Sequence, residues 1–86
     1  MANSLNIDVT GMVVVIDKRY AKGSVRERMF RCRGGFGCKP YTSGSHIYGY
    51  FLVKGVGDVG IEGYMIERLA NEKEMDELGT TNIKQI

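Results

Sequence analysis

Glycine interrupts this chain at short intervals: twelve of its 86 residues are glycine, against a single proline. Inside a helix each glycine costs roughly 1 kcal/mol relative to alanine. Glycine also opens backbone conformations that other residues avoid. The count therefore argues for many tight turns and against a helical bundle. The length fits one domain spanning residues 1–86. A domain of this size buries only about 60–65 % of the surface exposed by its unfolded chain. Its core must be small and efficient, drawn from a hydrophobic fraction of 43 %.

Between the glycines the apolar residues follow strand patterns. Leu5, Ile7 and Val9 alternate with Asn6, Asp8 and Thr10, as in a half-buried strand, and Gly11 can bend or bulge the chain there. Met12–Ile16 is apolar without alternation and rich in β-branched residues, the pattern of a strand covered on both faces. Lys22-Gly23-Ser24 reads as a turn. Val25–Cys32 reads as a strand whose broken parity calls for a bulge near Met29. Arg33–Ser45, with four glycines and the proline, reads as a long loop. In Ile47–Val53, Ile47, Phe51 and Val53 share one face, while Tyr48, Tyr50 and Leu52 share the other. After a turn at Lys54–Asp58, Val59–Leu69 reads as one further strand. Asn71 and Glu74 form a capping box, Ala70 and Met75 can form its staple, and Gly79 stands at the C′ position. These signals predict a helix over Glu72–Leu78.

The expected fold class is mainly β: a small barrel or roll of four to five antiparallel strands with one short C-terminal helix. The order of parts resembles SH3-like barrels. The resemblance rests on Thr10–Ile16 as an opening strand, a long first loop and a late hairpin at Gly55–Gly60, and it covers Val9 to Leu69. It implies a fold that serves many unrelated functions, and it transfers no functional residue. The small glycine-rich format also resembles accessory proteins of bacteriophages and mobile elements.

Charge is unevenly distributed. Between Lys18 and Lys39 lie eight cations (Lys18, Arg19, Lys22, Arg26, Arg28, Arg31, Arg33 and Lys39), with Glu27 the only acid, a net +7. Asp58–Leu78 carries seven acids against Arg68 and Lys73, a net −5. One reading gives the basic segment an anionic partner, nucleic acid or an acidic protein surface, with its five arginines suited to planar bidentate contacts. The other pairs the basic strands with the acidic strand and helix, so that the asymmetry neutralises itself.

The stretch Arg31–Pro40 adds glycines whose N–H groups can converge on an anion. It is neither a dinucleotide fingerprint nor a P-loop, because Pro40 replaces the third glycine and no helix follows. The alternative is a tight loop with Phe36 plugging one end of the barrel. Tyr41, Tyr48, Tyr50 and Tyr64 can stack on bases if exposed, or fill the core if buried. Cys32, Cys38 and His46 are the only soft metal ligands, and the Cys-x5-Cys spacing is not that of a zinc site.

The functional expectation is a non-enzymatic binding module with no cofactor and no metal. It would engage an anionic partner, nucleic acid foremost, through Arg26, Arg28, Arg31, Arg33, Gly35, Phe36, Lys39 and Tyr41. Two alternatives remain open. One is a phage-type interaction or inhibitor module that binds a host protein. The other is a pocket for a small phosphorylated ligand, completed in a homo-oligomer. No targeting signal is visible, and the longest apolar run, Met12–Ile16, cannot cross a bilayer. The expectation is a cytoplasmic protein without membrane contact, with both cysteines reduced.

Overall fold

The computed structural model describes residues 8–36, 45–53 and 57–82. Five strands form a single antiparallel sheet: β1 (Val13–Ile16), β2 (Met29–Phe36), β3 (His46–Phe51), β4 (Val59–Glu62) and β5 (Ile66–Leu69). Their order across the sheet is β4-β3-β2-β1-β5. One helix, α1 (Glu72–Glu77), follows. The edge strands β4 and β5 are not hydrogen-bonded to each other, so the sheet is open but compatible with a small barrel-like fold.

The centre of the sheet explains the unalternating run in the sequence. All four residues of β1 are buried. Val14 and Ile16 point into a cluster with Val9, Phe30, Cys32, Ile47, Ile61 and Ile66. Val13 and Val15 point to the opposite face, into a second cluster with Met29, Ala70 and Met75. Each such side chain contributes roughly 1.5–3 kcal/mol through burial. The adjacent Met29 and Phe30 need no bulge between them: β2 is also buried on both faces there, and each residue serves one cluster.

The helix forms as its capping signals predict. The Asn71 side chain accepts from the Glu74 amide at 2.8 Å, and the Glu74 carboxylate accepts from the Asn71 amide at 2.9 Å. Ala70 and Met75 are buried together against the sheet. Gly79 adopts φ 67°, and the Thr80 amide closes the helix end on the Met75 carbonyl at 2.9 Å.

Four expected boundaries are corrected. Val25–Arg28 is not strand but a turn ending in the 3₁₀ segment Arg26–Arg28, because the Ser24 carbonyl accepts from both the Glu27 and Arg28 amides. Arg33–Phe36 is not loop but the end of β2, paired with β3 beyond a register shift between Cys32 and Gly34. The irregularity thus falls at Arg33 rather than near Met29. Val59–Leu69 is not one strand. It breaks at the 3₁₀ turn Gly63–Met65, because β4 pairs with β3 whereas β5 pairs with β1 on the far side of the sheet. Asp8–Thr10, the described part of the first expected strand, is not strand either, because the chain turns there with the Met12 amide donating to the Val9 carbonyl at 2.9 Å; its Leu5–Ile7 part, and the rest of the long loop from 37 to 44, lie outside the described residues.

Candidate anion-binding surface

The structure divides the basic segment into arginines that hold the fold and cations that face solvent. Arg28 is 7 % exposed. Its guanidinium donates to the Ile16 carbonyl at 2.7 Å and the Gly23 carbonyl at 3.1 Å, and meets Glu67 at 3.3 Å. Arg31 is 5 % exposed. It donates to the Gly11 carbonyl at 3.0 Å and to the Thr80 hydroxyl, while its Nε is buried with no hydrogen-bond partner among the described residues. Neither guanidinium is presented at the surface. Arg33 is exposed and paired with Asp58 through contacts of 3.0 and 3.1 Å. Arg26 is exposed and has no carboxylate partner among the described residues.

The glycines of this region build strand rather than an anion nest in the part described. Gly35 pairs with Ile47 inside β2 at φ 147°. A Cβ there would run into the His46 carbonyl and come within 2.9 Å of the Ile47 Cα. The backbone of Phe36 pairs with His46. Lys39, Tyr41 and Cys38 lie outside the described residues. Cys32 is buried in the core beside Phe30 and Ile47. His46 sits opposite Glu62 across the β3–β4 ladder and meets it at 2.9 Å.

The pairings expected from self-neutralisation form in part. Glu67 meets Arg28 and Asp58 meets Arg33, whereas Glu74 takes its bidentate contact, at 2.7 and 2.8 Å, from Arg68 within the acidic segment itself. The Arg68 guanidinium, aided by the Asn71 amide, holds the Glu74 carboxyl down at about 2. Of the seven acids of the segment, Asp58, Glu67 and Glu74 are engaged with arginine and Glu62 with His46.

The loop that follows β1 gathers a group of residues of which the sequence expectation had named only Arg26 as a site residue and Tyr64 as a stacking candidate. The Asp17 amide donates to the Met65 carbonyl at 2.8 Å, which sets the start of this loop against the Gly63–Met65 turn. The Tyr20 and Ala21 amides fold back onto the Asp17 carbonyl. The Arg19 guanidinium is 3.1 Å from the Asp17 carboxylate, and this contact lowers the acid's pKa and raises the base's. The same guanidinium lies 5.5 Å from the centroid of the Tyr20 ring. Tyr20 in turn meets Tyr64 edge-on, with centroids 5.6 Å apart at 72°. Both rings are exposed, at 42 % and 57 %. Lys18, Lys22 and Arg26 are exposed on the same loop and the turn that closes it. At the base of the loop, Arg28 binds both Ile16 and Gly23, the two ends of the excursion. The one local signal in the sequence was the triplet Lys18-Arg19-Tyr20 between a strand and a glycine turn.

Elsewhere, a cleft of about 320 Å³ beside α1 is lined by Glu72, Met75, Asp76, Thr80, Thr81 and Asn82. Its two charged lining residues are acids, the wrong sign for a phosphorylated ligand. Among the described residues, no group of three or more His, Cys, Asp or Glu is placed to hold a metal ion. No described helix is long and apolar enough to cross a membrane. Comparison with known proteins finds no matching family model, no matching curated protein and no matching solved structure.

Proposed function

We propose that this chain is a small non-enzymatic binding module that engages nucleic acid through its first loop. The observation that carries the reading is the coincidence on that loop of exposed cations, Lys18, Arg19, Lys22 and Arg26, with the exposed Tyr20–Tyr64 pair. Cations beside accessible aromatic rings suit a ligand that is both anionic and aromatic, with phosphates meeting the charges and bases meeting the rings.

The loop replaces the buried arginines as the centre of the proposed surface. Arg28 acts beneath it by fixing its ends, and Arg33 lies outside it, already paired with Asp58. The test is a triple variant, Lys18→Gln, Lys22→Gln and Arg26→Gln, titrated with a fluorescein-labelled oligonucleotide at several salt concentrations. All three side chains are exposed, so the melting temperature should stay within a few degrees. Binding should weaken, and the salt slope should fall by about 0.7–0.9 for each phosphate contact removed. Unchanged affinity and slope in the triple variant would refute the assignment. Affinity for acidic protein surfaces but not for oligonucleotides would favour the protein-interaction alternative.

A further inference from the structure

We infer that the preferred ligand is a single strand, bound along a track of exposed tyrosines that runs from the first loop onto the face of the sheet. The inference rests on the nucleic-acid reading above and narrows it to one class of nucleic acid. In a duplex the faces of the bases are stacked on one another and closed to a side chain. An exposed ring on the protein can stack only on a base that is unpaired.

The track has two platforms. The first is the Tyr20–Tyr64 pair. The second is Tyr48, 55 % exposed on the outer face of β3. Tyr48 is flanked across the sheet by glycine on both sides, Gly34 of β2 and Gly60 of β4. A Cβ at Gly60 would lie 3.6 Å from the Tyr48 ring, and one at Gly34 would meet nothing within 4 Å. Neither neighbour carries a side chain that could cover the ring. The exposed part of the sheet is therefore lowered around one tyrosine, which leaves its face open to a planar ligand.

The two platforms are joined by structure. The Gly63 amide donates to the Ser45 carbonyl at 3.1 Å, which fastens the turn carrying Tyr64 to the start of β3. His46, the first residue of β3, meets Glu62 at 2.9 Å. Tyr48 follows two residues along, on the same face as His46. Gly60, beside Tyr48, and Tyr64 are four residues apart, so their Cα atoms are separated by at most about 14 Å. A strand with bases spaced by about 3.4 Å covers that distance in about four nucleotides. The loop cations lie at one end of this path, where they complement the charge of the sugar–phosphate chain.

The test uses fluorescence anisotropy with labelled dodecathymidylate and with the same strand annealed to dodecaadenylate, at equal salt. The single strand should bind at least tenfold more tightly than the duplex. Tyr64→Ala and Tyr48→Ala should each weaken single-strand binding by about tenfold, with no change in salt slope because no charge is removed. Tyr64→Phe and Tyr48→Phe keep the ring, so they should bind nearly as the parent does. They also separate loss of stacking from loss of fold. Duplex binding equal to or tighter than single-strand binding, with the tyrosine variants unaffected, would overturn the inference and leave the cationic loop as the site. Absence of binding to either probe would overturn the nucleic-acid reading itself, and this inference with it.

Discussion

Replacing Arg28 with methionine keeps most of the side-chain stem and removes every donor. The guanidinium is 7 % exposed and binds two backbone carbonyls, Ile16 at 2.7 Å and Gly23 at 3.1 Å. A hydrogen bond to a charged group contributes about 1.5–3 kcal/mol, and a buried carbonyl left without its donor loses a similar amount. The contact with Glu67 adds little, because that carboxylate is 43 % exposed and exposed pairs contribute less than about 1 kcal/mol. Desolvation of the arginine itself is relieved in the variant and offsets part of the loss. The net cost should be about 3 kcal/mol. At about 4–8 °C per kcal/mol for a domain of this size, Arg28→Met should melt roughly 12–24 °C lower. Glu67→Gln should melt within a few degrees of the parent. Amide hydrogen exchange should also accelerate across residues 17–25, the loop whose two ends Arg28 joins. Thermal melts followed by circular dichroism measure the first effect. If Arg28→Met melts at or above the parent temperature, desolvation dominates and the carbonyl bonds contribute nothing net. The account of this arginine as a fastening for the loop would then be wrong.

Gly49→Ala should cost about 3 kcal/mol or more, because a Cβ there would collide with the Arg31 carbonyl and lie 2.8 Å from the Phe30 ring. Gly60→Ala, where the nearest atom is an ordinary 3.6 Å away, should shift urea-denaturation stability by less than about 0.5 kcal/mol. Glu74 has its pKa lowered from 4.5 to about 2 in the folded chain, so its contribution is fully present above about pH 4.5 and is lost as pH falls towards 2. Melting temperatures taken at pH 7, 4 and 2.5 should fall more steeply for the parent than for Glu74→Gln, and parallel curves would show that the Arg68 contact is not coupled to folding.

The parts of the fold legible in the sequence are those set by local chemistry. The all-apolar run at β1 announces burial on both faces, and Asn71, Glu74 and Gly79 mark the two ends of α1. The break at Gly63 was not legible, because it is made by partners remote in sequence. The parity of Ile61, Met65 and Leu69 suits one continuous strand, yet the three pack on the same core cluster from β4, the 3₁₀ turn and β5 respectively. The turn at Val25–Arg28 was missed for a different, local reason. Its alternating charges read as a strand until Ser24 and Glu27 are seen to hydrogen-bond each other across the turn. For the site, the sequence located the charge but not its direction. Nothing local separates Arg28 from Arg26, two residues away, although one is buried and the other exposed.

That difference in direction has a consequence for the strength of any electrostatic binding. Gly11, Ile16 and Gly23 lie where the chain enters or leaves the sheet, and each turns a carbonyl towards a guanidinium. Backbone carbonyls at such places lack a ladder partner and must be satisfied by something else. Arginine supplies five donors from one side chain and stays charged at any physiological pH, so it can tie two segments together at once. Arg28 joins the two ends of the first loop. Arg31 joins the turn at Gly11 to Thr80, beyond the helix, where the Asn82 side chain also accepts from the Val13 amide at 3.0 Å. Two of the eight cations that make the segment basic are therefore structural, and Arg33 is already paired with Asp58. The exposed cations of the first loop and its closing turn number four, Lys18, Arg19, Lys22 and Arg26, of which Arg19 is itself paired with Asp17. Four contacts to a single strand give a salt slope of about −3 at most, well short of the value that the charge of the whole segment would suggest. A measured slope near −3 or shallower fits binding through this loop. A slope near −5 would require cations from beyond it and would move the interface off the surface argued here.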